Sequence, residues 1–412
     1  MTSTTPPVGA GPLQRREARL AWGLLSPTLI SVALVVILPL LAIFWISVKP
    51  VELADLRAPA PVVRDALRGS GDDLRLEYRL RNSSQEQEVR NVVLTATLPD
   101  GVLPAGDLPD ACTLEADRLT CRFDLFEPGH RDRLALPVTL DGTSADAAKD
   151  ALRAAPATAT GESDNVLTDT TFTLDNFRKV FDGGEFWSVL WVTLFYTVFG
   201  TIGALLFGMF AALLLNKSFR GQGVLRGLYL FPYVAPVIAV AFTWVTLFDP
   251  FSGSINALLL QMGATEASIN FFGEKPLALI MVTVFEIWRY FPLSFLFILA
   301  RMQSIDTDMY EAADMDGASP FQQFWYLSLP QLLGILSVLF LLRFIWTFNK
   351  FDDIFLLTGG NAGTRTLTVN VYEQAFALSN IGAGAAVAVV IFACLILFAV
   401  LFFRFLSREE GL

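Results

Sequence analysis

The chain has 412 residues, of which 53% are hydrophobic and 17% charged, and its formal net charge is −10. Because an ordinary soluble domain is about 25% charged, this composition argues against a water-soluble enzyme. One histidine and three cysteines exclude multi-histidine metal sites and four-cysteine zinc or iron–sulfur sites. No lysine follows a glycine, so a P-loop is excluded too. We expect the chain to bind no metal, no cofactor and no nucleic acid.

Six apolar stretches are long enough to cross a membrane, because a bilayer core about 30 Å thick takes about 20 residues of helix. They are residues 22–48, 187–215, 224–248, 277–300, 331–348 and 383–406. The fifth is the shortest and contains Arg343. These stretches predict an all-α polytopic membrane protein with six transmembrane helices.

Basic residues flank the stretches on alternate sides, and short loops rich in Lys and Arg stay in the cytoplasm. They are Arg15, Arg16 and Arg19 before the first stretch, Lys217, Arg220 and Arg226 around the second loop, Arg301 after the fourth stretch, and Arg404 and Arg408 at the end of the sixth. We therefore expect a multi-pass protein of the bacterial plasma membrane with both termini in the cytoplasm. The first stretch is longer than the apolar core of a signal peptide, so we expect it to remain as a span.

An acidic, polar segment separates the first two stretches. Residues 51–180 hold 23 Asp and Glu against 15 Lys and Arg, and four runs there place an apolar residue at every second position. The runs are 74–80, 92–98, 119–125 and 134–140. A period of two is typical of strands with one buried face, which predicts a small β-sandwich.

The chain is accordingly predicted to have three parts. Residues 1–49 form a cytoplasmic N-terminus and the first transmembrane helix. Residues 50–170 form the extracytoplasmic β domain and its linker, of which 143–170, rich in Ala, Thr and Asp, favours a flexible return. Residues 171–412 form a core of five further helices.

Two of the cysteines, Cys112 and Cys121, bracket a hairpin that turns near Glu115–Arg118. We expect a disulfide between them, with two buried thiols as the alternative, and disulfides persist outside the reducing cytosol. Cys394 lies in the sixth stretch, where a thiol packs as a small apolar group. With its paired cysteines and its Asn-x-Ser, Leu-Pro-x-Gly and Pro-Gly sequences, the segment over about 70–142 resembles the immunoglobulin-like repeats of bacterial surface proteins. Its role is left open between docking a binding protein and contacting other components of the cell envelope.

A motif of the pattern EAAxxDGAxxxxxFxxxxLP lies between the fourth and fifth stretches, within residues 310–330. Its first three residues favour a helix, and Gly317 permits a sharp turn that a side chain would obstruct. Ser319 followed by proline suits the start of a second helix, and Pro330 is expected to separate that helix from the fifth span. The motif predicts a helix–turn–helix hairpin exposed to the cytoplasm.

This motif resembles the coupling loop of permeases from binding-protein-dependent ABC importers, and other segments resemble the sugar-transporting, MalF-like branch of that family. They are Leu174–Phe177, Phe186-Trp187, Phe231–Tyr233, Ile287-Trp288, Phe348–Phe351 and Leu357–Gly360. The resemblance leaves out only the segment from about 50 to 170, and it implies the type I ABC importer permease fold. It also implies that the hairpin docks on a cytoplasmic ATPase through Glu311, Ala312, Ala313, Asp316 and Gly317.

The same resemblance implies a set of partners. These are a second, MalG-like permease subunit, a homodimer of ATPase subunits that binds ATP–Mg, an extracytoplasmic solute-binding protein, the membrane lipid and a sugar. The chain itself would then be a transport subunit rather than an enzyme, with no catalytic residues.

A translocation path is expected among the polar residues of the spans, because ionisable residues there face the bundle interior or water. Glu286 and Arg289 lie three residues apart, on one helix face, where they can pair with each other or hydrogen-bond sugar hydroxyls. By resemblance to the maltose permease, the sugar positions fall on Tyr233, Val237, Glu286, Arg289, Tyr290, Leu293, Trp346, Thr347 and Lys350. Three of these are charged where that permease is neutral, so either the site binds a different sugar or the partner permease holds the ligand. Arg343 is expected to be structural.

The expected function is transport of a sugar, such as an oligosaccharide of the maltose or trehalose type. One alternative is a membrane-anchored binding or signalling protein that works through its immunoglobulin-like domain, although an anchor needs only one span and no ATPase contact. Another is a permease for a polyol or glycerol phosphate, in which Arg289 and Lys350 contact the anion. The sequence does not name the sugar.

Overall fold

The computed structural model describes residues 12–56, 58–70, 73–85, 87–106, 108–165 and 170–405. Arg408 and residues 166–169 of the expected linker lie outside them. The chain divides into two compact units. The helical unit comprises Met1–Ser47, Asp175–Leu378 and Ala383–Leu412, and the β unit comprises Val48–Leu174 with Ser379–Gly382.

The β unit is built on two antiparallel sheets. Its elements are β1 Pro61–Arg68, β2 Arg75–Asn82, β3 Val89–Thr97, β4 Val102–Pro104, β5 Cys112–Glu115, β6 Arg118–Phe126, β7 Arg131–Leu140, α3 Ala145–Ala154 and β8 Thr158–Glu162. One sheet has the strand order β1-β2-β7-β4 and the other β5-β6-β3-β8. The four runs of alternating residues fall in β2, β3, β6 and β7, and Leu76, Tyr78, Leu94 and Leu119 from the two sheets are fully buried in one core. The unit is therefore a β-sandwich, as the alternation predicts.

The prediction of a flexible linker over 143–170 is wrong for much of that segment. The Ser144 hydroxyl caps α3 by accepting a hydrogen bond from the Ala147 amide, and Ala148 and Leu152, one turn apart, are buried in the sandwich core. Strand β8 then pairs with β3. A composition rich in Ala and Thr concealed a short amphipathic helix and an edge strand.

Strands β5 and β6 form the hairpin expected from the cysteine spacing. Cys112 and Cys121 face each other in the strand register, and a disulfide joins them. The two turn residues are Ala116 and Asp117, inside the predicted turn. A two-residue loop is the commonest connection between antiparallel strands.

The helical unit contains α1 Pro12–Val32, α2 Leu38–Ser47, α4 Asp175–Asp182, α5 Phe186–Leu215, α6 Gln222–Tyr229, α7 Phe231–Val234, α8 Val237–Leu247, α9 Ser254–Gln261, α10 Leu277–Gln303, α11 Thr307–Met315, α12 Pro320–Gln323, α13 Leu329–Phe348, α14 Asp352–Thr358, α15 Leu367–Tyr372 and α16 Ile381–Phe405. A π-helical turn, Ala33–Ile37, joins α1 to α2. Within the described ranges, five helical segments are long and apolar enough to cross a membrane. A sixth is present if the bent pair Gln222–Val234 and Val237–Leu247 counts as one span.

The third predicted span is this bent pair, with 89° between its two parts. The break falls at Ala235 and Pro236, which lie between α7 and α8. Proline lacks the amide that would continue the helical hydrogen bonds. In the fourth span, by contrast, α10 runs without interruption through Pro292.

The expected separation of the second motif helix from the fifth span is wrong. Residues Pro320–Phe348 form one helical segment, because a π-helical turn, Phe324–Ser328, joins α12 to α13. Pro330 is the second residue after this turn, and the Leu329 amide before it donates to the carbonyl of Phe324 with π spacing. The helix thus changes from α to π hydrogen-bond spacing just before the proline, which has no amide to donate.

Helices α5 and α10 pack closely through glycines on α5. A Cβ atom on Gly203 would lie 2.4 Å from the Ile287 side chain, and one on Gly208 would lie 2.6 Å from the Ser294 Cβ. A Cβ atom on Gly200 would likewise lie 2.9 Å from the Glu286 side chain. Small residues at a membrane helix interface let backbones approach, so this contact positions α10 and its charged residues.

Candidate functional site

A cavity of about 240 Å³ lies at the meeting of α7, α10 and the end of α13. It is lined by Tyr233, Glu286, Tyr290, Leu293, Arg343, Trp346, Thr347 and Lys350. Seven of the nine positions derived from the sequence line it, the exceptions being Val237 and Arg289. That these side chains contact a transported sugar stays a prediction.

Glu286 is the centre of the polar contacts at this cavity and is fully buried. Its Oε1 accepts hydrogen bonds from Arg343 at 2.5 Å and from Thr347 at 2.9 Å, and its Oε2 accepts one from the Tyr196 hydroxyl at 3.0 Å. The proposed pairing of Glu286 with Arg289 is therefore wrong. The charge partner comes from α13, on a different helix.

Arg289 instead binds the break in the third span. Its guanidinium donates to the carbonyls of Pro232 and Ala235, at 3.1 Å each. A helix end leaves carbonyls without intrahelical partners, and inside a membrane such groups must be satisfied by protein. Arg289 is thus a structural residue that ties α10 to the bent segment.

Lys350 and Asp353 form a second charged group beside the cavity. The Lys350 ammonium lies 4.5 Å from the centre of the Tyr290 ring and 3.8 Å from Asp353 Oδ2. Asp353 is fully buried, and neither of its oxygens accepts a hydrogen bond from any described residue. Its nearest cations are Lys350 and Arg289, the latter at 4.0 Å.

Sequence reasoning missed two of these residues. Asp353 lies after the fifth predicted stretch, so the expectation for ionisable residues within spans did not include it. Tyr196 carried no signal, because a tyrosine in a long apolar helix looks like packing. Arg343 was expected to be structural, and its buried pair with Glu286 agrees with that expectation, although it also lines the cavity.

The cavity presents hydroxyl, carboxylate and cationic groups beside aromatic rings. Arg343 and Lys350 lie over the face of Tyr290, at 4.6 and 4.5 Å from its centre, and Tyr233 meets the same ring edge-on. Such a lining suits a ligand with many hydroxyls or an anionic group. No group of three or more potential metal ligands occurs in the described ranges.

The geometry of the motif hairpin follows from its turn residues. Helix α11 ends at Met315, and Gly317 has a φ of +78°, a conformation that favours glycine. Ser319 then forms a capping box with Gln322 at the start of α12, which satisfies amides that the helix leaves free. The helix–turn–helix predicted from the motif is present.

The hairpin exposes both its motif residues and several large apolar side chains. Glu311, Ala312, Asp316 and Gly317 are exposed and Ala313 is half-buried. Met315 is 89% exposed, Tyr326 78% and Phe321 71%. Large apolar side chains exposed together mark an interaction surface.

Residues 204–410 match the family described as the inner membrane component of binding-protein-dependent transport systems. The chain belongs to this family. The matched range contains the hairpin and every residue that lines the cavity. The permease is thus a transport component of the inner membrane.

Relatives of this permease include sugar permeases. It is 35% identical to the inner membrane ABC transporter permease protein YcjO of Escherichia coli over 239 residues. This alignment covers 58% of this chain and 80% of YcjO. It is 32% identical over 232 residues to the trehalose/maltose transport system permease protein MalF of Thermococcus litoralis, covering 56% and 78%. The second of these relatives is thus named for transport of trehalose and maltose.

A solved structure shares its fold. A bacterial ABC transporter that imports the acidic polysaccharide alginate matches with a TM-score of 0.53 and 20% identity, over 59% of this chain and 86% of that one. This permease therefore has the type I ABC importer permease fold. Residues Val48–Leu174 of the β unit lie before the range that the family matches.

Proposed function

We propose that this permease forms the translocation path for a sugar, such as an oligosaccharide of the maltose or trehalose type. The cavity supports this proposal, because its hydroxyls, charges and aromatic rings suit a ligand rich in hydroxyls. The relative from Thermococcus litoralis is named as a trehalose/maltose permease. The partners would be a MalG-like second permease, an ATPase homodimer and an extracytoplasmic solute-binding protein.

We further propose that the hairpin of α11 and α12 is the ATPase contact, placed in the cytoplasm with both chain termini. The exposed Glu311, Ala312 and Asp316, with Ala313 and the Gly317 turn, would carry it. The observation that supports this assignment is the exposed apolar set around the turn, which needs a protein partner to cover it. The β unit would then lie outside the cell as an immunoglobulin-like domain.

Replacing Gly317 by Asp tests the hairpin. The substitution adds a side chain at a left-handed position, at a cost of about 1–3 kcal/mol, and it adds a charge to the proposed contact. We expect uptake to be abolished while the amount of protein in the membrane stays normal. Gly263→Asp is a matched control, since Gly263 has a φ of +66° and, like Gly317, has no atom within 4 Å of an added Cβ. Normal uptake by a correctly inserted Gly317→Asp variant would refute the assignment.

A second candidate substrate is an anionic one, such as a glycerol phosphate. Two cations line the cavity, Arg343 and Lys350, and Lys350 is the more accessible. Arg289, which the sequence had suggested as an anion contact, is engaged with backbone carbonyls. Reconstituting the complex and screening neutral oligosaccharides against phosphorylated polyols distinguishes the two, through ATPase stimulation that depends on the binding protein. Stimulation by phosphorylated polyols alone would overturn the neutral sugar.

A further inference from the structure

Arginines are concentrated on the outer face of the sheet β1-β2-β7-β4. The strand register aligns Arg64, Arg79 and Arg133 in one row across three strands. In the next row Arg81 lies opposite Arg131. Like charges directly opposite each other destabilise a sheet, so strand pairing does not account for this arrangement.

These five arginines line a groove of about 620 Å³, together with Val62, Leu80 and Asp132. All five are exposed. The volume is in the range of small-ligand sites, about 300–1,000 Å³. The groove therefore has the size of a site for a discrete ligand.

Protein carboxylates neutralise only part of this charge. Glu77 lies 2.5 Å from Arg79 and 3.3 Å from Arg133. Over the described ranges, Arg64, Arg81 and Arg131 form no ion pair with any carboxylate. The groove thus keeps at least three cations available to an anion.

The type of cation and its spacing define the ligand chemistry. Every basic residue of the groove is arginine, whose planar guanidinium binds carboxylate or phosphate through two parallel hydrogen bonds. Neighbouring strands lie about 4.8 Å apart, so a row across the strands matches anions that repeat at about that distance. One sugar residue of an extended acidic oligosaccharide has a comparable length.

The charge of the surrounding unit favours a short anion over an anionic surface. Residues 51–180 carry 23 acidic against 15 basic residues, a net of −8, and charges farther away than about 8 Å are screened at physiological salt. An anionic bilayer is large enough to face the net negative charge of the whole unit. A short ligand inside the groove lies close to the arginines alone. The groove has no aromatic lining residue, unlike the centre of a protein interface.

We propose that this groove binds a short acidic oligosaccharide, with its carboxylates running across β1, β2 and β7. The spacing of the arginine row, about 4.8 Å between strands, fits one carboxylate per sugar residue better than the more closely spaced charges of polyphosphate. The site lies in the β unit, outside the range that the family matches. It does not depend on which sugar is transported.

The test measures binding of a galacturonic acid hexamer to the full chain in nanodiscs of neutral lipid, by calorimetry. Losing one charged hydrogen-bond partner costs about tenfold in affinity, so Arg81→Ser should weaken binding about tenfold and Arg81→Ser with Arg131→Ser about a hundredfold. Arg118→Ser and Arg122→Ser, exposed arginines on β6 of the other sheet, should leave binding unchanged. Equal weakening by the β6 variants would overturn the proposal.

Further binding measurements distinguish between possible sources of the anion. A neutral galactose hexamer should not bind, and polyphosphate or vesicles containing anionic lipid should bind more weakly than the acidic hexamer. Tighter binding of either would overturn the choice of an oligosaccharide. Arg131→Lys keeps the charge and spares the fold, and it should still weaken binding, because lysine lacks the two-pronged hydrogen bonding of arginine. Unchanged affinity in that variant would contradict carboxylate recognition by a guanidinium.

Discussion

The buried pair between Glu286 and Arg343 gives the sharpest test of the helical unit. Both residues are at most 2% exposed, and the joining hydrogen bond is 2.5 Å long. Arg343→Met leaves the carboxylate charged and buried, with only Tyr196 and Thr347 as donors. Removing one partner of a buried pair costs about 3–5 kcal/mol, whereas replacing both partners by neutral groups is often close to neutral.

We therefore expect Arg343→Met to lower the free energy of unfolding by about 3–5 kcal/mol, and the addition of Glu286→Gln to recover most of that loss. The assay is denaturant unfolding of the detergent-solubilised chain, with both single variants and the double variant in one cycle. Arg404→Met, an exposed arginine near the end of α16, is the control and should change stability by less than about 0.5 kcal/mol. If the double variant lost the sum of the two single losses, the pair would not be coupled and this reasoning would be refuted.

Three further predictions concern packing, the disulfide and pH. Gly208→Leu should destabilise the contact of α5 with α10 by at least about 1–3 kcal/mol, measured by the same unfolding assay. Gly223→Leu is the control and should have little effect, because an added Cβ there meets no atom within 4 Å. Equal losses of stability in the two variants would contradict the close approach of the helices. Cys112→Ser should lower the stability of the β unit by about 2–3 kcal/mol, because it opens a short loop, and an unchanged melting curve under non-reducing conditions would argue against the bond. The hydrogen bond from Arg79 and the charge of Arg133 hold the pKa of the Glu77 carboxyl below its usual 4.5. The ionised carboxylate therefore stabilises the folded state above pH 4.5, and this effect is lost as the pH falls through the lowered pKa. Glu77→Gln should accordingly be less stable than the wild type near neutral pH and equally stable in acid. A stability difference that does not change with pH would contradict this prediction.

The sequence predicted the site's composition better than its pairing. The resemblance grouped Tyr233, Tyr290 and Trp346, residues far apart in the chain, and they do line one cavity. Helical spacing suggested that Glu286 pairs with Arg289 because periodicity describes only one helix. The real partner is 57 residues away, and only the packing of α10 against α13 brings it close.

Strong periodicity in the sequence predicted the strands and long helices correctly. It did not predict where a helix bends and where it continues. The period of two located β2, β3, β6 and β7, and the long apolar runs located the long apolar helices. Proline, however, had opposite effects at two places. Pro236 lies at an 89° bend, whereas Pro330 lies in a continuing helix because a π-helical turn precedes it. Composition alone does not report that turn.

The unbroken helix from Pro320 to Phe348 has a structural consequence. Its 29 residues span about 43 Å at 1.5 Å per residue. One end carries the exposed apolar side chains near the Gly317 turn, and the other carries Arg343, Trp346 and Thr347 of the cavity wall. The apolar tip and the cavity wall therefore belong to one helical segment, joined through the π-helical turn Phe324–Ser328.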